Sequence, residues 1–346
     1  MDIIKVLIVD DSLLFRETLS KGLNQLNDIQ VIGSAVDPFD AKDKIIALRP
    51  DVVTLDVEMP RMNGIKFLKS LMPQFPIPVV VVSSLKESVF EAMDAGAVDF
   101  VAKPEDQSGN ITSFIEATAE KIRIAKNAKF AYKKAIEPRI ELSTDEVLGP
   151  INPLNVIAIG ASTGGTDAIN SILTKFSKNM PGIVIVQHMP QGFTKLYAER
   201  LNSSCELDVF EAKNGDELRP GTALIAPGDY QMRLIRNGNG YSVLVDQSQK
   251  VNGHRPSVDV LFESVAKSAG RDAIGVILTG MGADGALGLK MIRDVGGYTI
   301  GQDERSSVVY GMPMAAFVSG AVAIQLPLYR IPDELCRKLS ATKSFI

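Results

Sequence analysis

At 346 residues, with 45% hydrophobic and 23% charged side chains, the chain has the length of about two domains and an ordinary globular composition. A formal net charge of -4 argues against a dedicated nucleic-acid binder. Cys205 and Cys336 show neither metal-binding nor disulfide-framework spacing, and no apolar stretch approaches the ~18 residues of a membrane span, so a cytoplasmic protein without membrane insertion is expected.

From Lys5 to Lys103, short apolar runs alternate with amphipathic stretches: Val6 to Val9, Gln30 to Ala35, Val52 to Leu55, Val79 to Val82 and Phe100 to Ala102. Five βα units in succession predict a doubly wound parallel sheet. The runs stop at Asp10 and Asp11, at Asp56, at Ser83, and at Lys103 before Pro104. Such a sheet gathers these residues at one edge. Three carboxylates in one crevice repel each other unless a hard cation neutralises them, and oxygen ligands with room for water suit Mg²⁺. Asp56 is then a candidate to attack a phosphoryl group, with Lys103 stabilising charge on the added oxygens. Any one of these aspartates taken singly reads as a helix cap or a solvated loop residue. Their placement at successive run ends is what points to a site.

Between Lys126 and Pro153 the strand periodicity lapses, and Pro138, Pro150 and Pro153 appear with Ser143, Thr144 and Gly149. This predicts a linker. The basic stretch from Lys121 through Lys134 reads as a solvated helix face. The expected boundaries are 1–122 for the first domain, 123–153 for the joint and 154–346 for the second domain.

Beyond Leu154 the βα rhythm resumes, with strands expected at Val156, Ile183, Ala223, Ala273 and Ala321 and a hairpin around Asn237 to Gly240. A second, mostly parallel sheet follows. Its first run ends in Gly160, Ala161, Ser162, Thr163, Gly164 and Gly165, a GxSxGG turn expected to lift Ser162 clear of a strand end. The next run ends at His188, one of two histidines in the chain, and a third breaks into Gly280, Met281, Gly282, Ala283, Asp284 and Gly285. A serine becomes a useful nucleophile when an imidazole takes its proton and an anion orients that imidazole. Ser162, His188 and Asp284 are therefore the candidate triad, with His254 the second-choice base and Asp303 the second-choice orienter. A helix starting directly after Ser162 offers N–H groups to an oxyanion, and the Met281 N–H is the candidate second donor. The glycine turn does not fit a dinucleotide fingerprint, which wants a glycine where Ser162 stands.

Residues 1 to about 122 resemble the receiver domains of two-component signalling, with a flavodoxin-like fold. By that resemblance Asp56 is the phosphoacceptor, Asp10, Asp11, Asp56 and Glu58 (through its backbone) hold Mg²⁺, Ser83 and Lys103 belong to the switch, and Phe100 is its aromatic member. The second half, with a Rossmann-like sheet, resembles the chemotaxis protein-glutamate methylesterases of the CheB family. The motifs GASTGG, QHMP, NGHRPSVD, LTGMGADG and DERSSVVYGMP carry the likeness. It implies an esterase without cofactor that removes methanol from methylated glutamates of chemoreceptors and deamidates receptor glutamines. It also implies a chemotaxis histidine kinase as phosphodonor and relief of occlusion by the receiver upon phosphorylation. Arg255 is read either as a contact to acidic receptor helices or as part of an internal salt bridge. A phosphorylation-controlled binding protein without chemistry is the alternative from another class. A transcriptional output domain is a third, disfavoured by the acidic balance.

Overall fold

A computed structural model describes residues 3–60, 62–104, 111–128, 152 and 154–341. The chain divides into two compact units, Met1–Lys133 and Lys134–Ile346.

In the first unit, strands β1 (Ile4–Val9), β2 (Ile29–Ala35), β3 (Val52–Asp56), β4 (Val79–Ser83) and β5 (Asp99–Ala102) form a sheet in the order β2-β1-β3-β4-β5. Every pairing is parallel. Helices α1 (Leu13–Leu23), α2 (Pro38–Leu48), α3 (Gly64–Leu71), α4 (Lys86–Asp94) and α5 (Ile111–Lys126) alternate with the strands. β3 and β4 are buried at every residue, the pattern of parallel strands covered on both faces. Ser12, Asp37 and Asn63 each accept a backbone N–H at the start of α1, α2 and α3, so the capping work is done by residues other than the strand-end aspartates. α5 continues to Lys126, past the boundary expected at residue 122. Residues 129–151 and 153 of the expected joint, with all its prolines and the end of the basic stretch, lie outside the described residues.

The second unit carries β6 (Val156–Ala161), β7 (Gly182–Gln187), β8 (Asp208–Glu211), β9 (Glu217–Leu218), β10 (Thr222–Ile225), β11 (Gln231–Asn237), β12 (Gly240–Asp246), β13 (Ala273–Ile277), β14 (Tyr298–Gln302) and β15 (Ile324–Leu326). Its helices are α6 (Gly165–Leu173), α7 (Phe193–Ser204), α8 (Val258–Ala269), α9 (Ala286–Asp294), α10 (Met312–Val318) and α11 (Ile331–Ala341). A seven-stranded sheet runs β15-β14-β13-β6-β7-β10-β8, parallel throughout, beside an antiparallel sheet β11-β12-β9. The core joins strand residues Val156 and Ala158 to Val258, Leu261 and Phe262 of α8 and to Leu234 and Val243 of the hairpin.

The strand expected at Ala321 begins at Ile324. Before that point the backbone is held by a side chain, because Thr299 Oγ1 donates to Ala321 O at 2.7 Å and accepts from Ala323 N at 3.0 Å. Besides the two-residue β9, two strands of the seven-stranded sheet escaped the apolar-run reading. In β14 the polar Thr299 and Gln302 interrupt the run, and β8 is an edge strand with Phe210 52% exposed. The sheet order has one functional consequence. The chain leaves β6 toward β7 on one side and later returns to β13 on the other, so the ends of β6 and β13 flank a topological switch point, where open α/β sheets place their sites.

Candidate active site

Ser162 directly follows β6 and His188 directly follows β7, and the last residues of these strands, Ala161 and Gln187, are register partners. The serine and the histidine thus leave the sheet side by side. Ser162 is pinned through its backbone: its N–H donates to Thr279 O at 3.0 Å, and its carbonyl accepts from Gly165 N at 2.7 Å and Gln187 Nε2 at 2.9 Å. This tight turn leads straight into α6. Its left-handed residue is Gly164 at φ +77°, where a Cβ would lie 2.7 Å from the Val308 side chain. Ser162 itself has no positive φ, so strain is not what presents the hydroxyl. Ser162 lies just beyond the end of β6, as the turn predicts, and is only 7% exposed, packed beside Gly280.

Asp284 follows β13 and is buried. One carboxylate oxygen, Oδ2, accepts from His188 Nε2 at 2.8 Å and from Val258 N at 2.7 Å. The other, Oδ1, accepts from Ser257 Oγ at 2.7 Å, Asn252 Nδ2 at 2.9 Å and Asp259 N at 3.3 Å. The carboxylate therefore caps α8 from outside, in the positive field of the helix N-terminus. Burial pushes its pKa up. The hydrogen bond and charge of His188, with the hydrogen bonds from Asn252 and Ser257, outweigh this and hold the carboxyl well below its ordinary range. Asp284 is thus an anion at any working pH.

This pairing decides which nitrogen of a neutral His188 ring is left free to accept a proton. A nitrogen facing a carboxylate carries the proton, so Nε2–H points to Asp284 and the lone pair lies on Nδ1. Nδ1 is buried and has no partner among the described residues. The ring is turned the other way round from the familiar serine-protease triad, where Nδ1 meets the aspartate. No hydrogen bond joins Ser162 Oγ to His188 here; such contacts are often long without substrate and close in the reacting complex. Among the described residues the Met281 N–H also has no partner, whereas the preceding Gly280 N–H donates to Val309 O at 3.0 Å.

The alternatives resolve differently. Asp303 is occupied by Ser306, accepting from its N at 2.9 Å and Oγ at 2.6 Å, and takes no part in the cluster. His254 does reach the site, but stacked on His188 with ring centroids 3.8 Å apart and planes 12° from parallel. Arg255 pairs with Asp229 at 2.6 Å and donates to Gln247 O and Ser248 O, which makes the internal salt bridge its observed role. Asn252, Ser257 and Gln187 were not singled out from sequence. The first two sit in the stretch NGHRPSVD, whose Asn-Gly pair is itself a tight-turn signal.

In the first unit, Asp10, Asp11 and Asp56 bring carboxylate oxygens within 4.8 Å of one another. Lys103 Nζ lies 2.7 Å from Asp10 and 2.6 Å from Asp56, and 4.5 Å above the Phe15 ring. Two buried carboxylates thus share one ammonium. Burial opposes the charge of Lys103 but its two partners hold its pKa above the ordinary value. For Asp56, burial outweighs the pull of Lys103, with Asp10 adding repulsion, and its pKa is raised. Glu58 N donates to Asp56 Oδ1 at 3.2 Å. Ser83 ends the neighbouring strand, its hydroxyl accepting from Leu85 N at 3.1 Å. Phe100 is buried two residues before the end of β5.

Among the described residues no helix is long and apolar enough to cross a membrane. Residues 157–335 match the CheB methylesterase family and residues 6–115 the response regulator receiver domain. A protein-glutamate methylesterase/protein-glutamine glutaminase 2 of Syntrophomonas wolfei is 53% identical over 338 residues, covering 97% of this chain and 98% of the relative. A protein-glutamate methylesterase/protein-glutamine glutaminase of Salmonella typhimurium is 45% identical, covering 99% and 98%. The crystal structure of the Thermotoga maritima CheB methylesterase catalytic domain is 40% identical and aligns with a TM-score of 0.52, covering 53% of this chain and 98% of that one.

Proposed function

The chain belongs to the CheB methylesterase family and joins that domain to a response regulator receiver domain, and on that premise we propose that it is a phosphorylation-activated serine esterase of the chemotaxis system. It hydrolyses the γ-methyl esters of glutamates in methyl-accepting chemoreceptors and deamidates receptor glutamines, in the cytoplasm. The observation that carries the mechanism is the His188 ring itself: Nε2–H committed to a buried anion, and a buried Nδ1 left without a partner among the described residues, on the strand end next to the one that Ser162 follows.

Ser162 Oγ gives its proton to His188 Nδ1 and attacks the ester carbonyl. The resulting imidazolium is stabilised by Asp284. The Met281 N–H and the start of α6 receive the oxyanion, a type of contact whose loss typically costs on the order of 10²-fold to 10³-fold in rate. Nδ1–H then protonates the departing methoxide, which leaves as methanol. Water attacks the acyl-enzyme, its proton passing to Nδ1 and from there to the departing Ser162 Oγ, so that glutamate is released and the free serine restored. With a glutamine substrate the same proton transfers release ammonia. Each step uses side chains and backbone of this unit alone.

In the receiver, Asp56 accepts the phosphoryl group from a chemotaxis histidine kinase. The carboxylates of Asp10, Asp11 and Asp56 form an oxygen-only set whose spacing fits Mg²⁺, with the Glu58 carbonyl as a further ligand. When bound, the ion neutralises the carboxylates and the phosphoryl oxygens. Lys103 is held charged and contributes the remaining positive field, and Ser83 and Phe100 carry the switch.

Methanol release from methylated receptor tests both units. Ser162→Ala is expected to abolish it, and a fluorophosphonate should label Ser162 in the wild-type protein. An alanine variant that retains near wild-type release removes the nucleophile assignment; tight receptor binding with neither turnover nor labelling favours a binding protein instead. For Asp56→Asn, a small-molecule phosphodonor should no longer raise the rate, and persistent stimulation would refute the switch.

A further inference from the structure

The chain has two histidines, and both lie in this site, stacked face to face. We propose that His254 is a positioning residue of the esterase reaction: its ring fixes the plane of the His188 imidazole, so that Nε2–H keeps to Asp284 while Nδ1 stays available to the serine. The proposal rests on the hydrolase reading above.

His188 needs such a wall. Its side chain is held by hydrogen bonding at one point only, Nε2, while Nδ1 has no partner among the described residues. A ring fixed at Cγ and at one nitrogen can still pivot about the line joining them. A second flat ring at 3.8 Å blocks that pivot on one face. Hydrogen bonding between the two imidazoles is ruled out by the same geometry, because the nitrogen lone pairs and N–H bonds lie in the ring planes and those planes are 12° from parallel. His254 therefore does not pass protons to His188 from where it sits.

His254 is rigidly presented. Val251 and His254 exchange backbone hydrogen bonds of 2.9 and 3.0 Å across Asn252 and Gly253, whose φ angles of 53° and 81° are those of a mirror-image two-residue turn. The buried Gln231 staples the segment on both sides: its Nε2 donates to Gln249 O and His254 O at 3.1 Å each, and its Oε1 accepts from Ser257 N at 2.8 Å. The same turn sends Asn252 Nδ2 to Asp284 Oδ1 at 2.9 Å. One short turn thus addresses the aspartate through one side chain and the imidazole face through another.

The test compares His254→Ala, which removes the flat face, with His254→Phe, which keeps it without any titratable nitrogen. Alanine should lower kcat for methanol release about tenfold with KM within about twofold, and phenylalanine should recover most of the loss. Imidazole ¹⁵N spectra give a readout independent of turnover. His188 should be a single Nε2–H tautomer in the wild type and in His254→Phe, and a mixture in His254→Ala. If the alanine variant unfolds, leucine takes its place, filling the space without a flat face. Wild-type kcat in the folded alanine or leucine variant overturns the proposal, as does a phenylalanine variant as impaired as alanine. Absence of methanol release from the wild type would instead sink the esterase reading, while the spectra would still report whether His254 fixes the tautomer.

Discussion

Replacing Asp284 by asparagine separates orientation from packing, because the two side chains have nearly the same shape. Five donors converge on the carboxylate: His188 Nε2, Val258 N, Ser257 Oγ, Asn252 Nδ2 and Asp259 N. An amide offers one accepting oxygen. With that oxygen on the side of Ser257 and Asn252, the NH₂ group faces Val258 N–H and His188. The backbone N–H cannot reverse its role, and leaving it unpaired costs about 1–3 kcal/mol. His188 can adapt by moving its proton to Nδ1, which removes the lone pair that Ser162 requires. A wrong tautomer of this kind lowers kcat by about 10⁴-fold in a serine-protease triad, equivalent to about 5 kcal/mol of activation free energy at 1.36 kcal/mol per decade. The stability term is the smaller of the two, and it lies within the roughly 5–15 kcal/mol by which domains are stable. The variant should therefore be folded at 25 °C, with a midpoint lowered by several degrees, and almost inactive. Methanol release, thermal unfolding and ¹⁵N imidazole shifts on the same sample check each part. A folded Asp284→Asn enzyme within tenfold of wild-type kcat would refute the assignment of the tautomer to this carboxylate.

Gly280→Ala places a Cβ 2.4 Å from Met312 Sδ and 2.7 Å from Ser162 Cβ; the thioether can swing aside but the serine cannot without moving its hydroxyl. A loss in kcat of about 10²-fold is expected with the fold retained, and unchanged turnover would show that the close approach is not needed. Because the Asp284 pKa is depressed on folding from the ordinary carboxylate value of 3.8, its contribution to stability is fully present above that value and is lost as pH falls below it. Urea midpoints of the wild type should decline more steeply below about pH 4 than those of Asp284→Asn, and parallel curves would remove this linkage. Burial pushes the Cys336 thiol up to about 11 and also raises that of Cys205. At pH 7.5 roughly one Cys336 side chain in 3,000 is then thiolate, so iodoacetamide should leave native activity intact while a fluorophosphonate abolishes it. Rapid, substrate-protected inactivation by iodoacetamide would count against a serine nucleophile.

Apolar runs and the polar residues that end them are local properties, and they were enough to place Asp10, Asp56, Lys103, Ser162 and His188 at strand ends, Asp284 in the loop after β13, and to outline the two parallel sheets. A parallel strand buried on both faces needs a continuous apolar run, and functional side chains appear where that run stops. The same rule explains the misses: β14, diluted by Thr299 and Gln302, and β8, half open to solvent, carry no such run. What the sequence could not decide is which atoms meet. That Asp284 caps α8, that Nε2 and not Nδ1 of His188 faces it, and that His254 lies flat on His188 all depend on segments that sheet order and helix packing bring together across long stretches of chain. Periodicity fixes which face of an element is apolar; only the packed structure fixes what that element's polar ends confront.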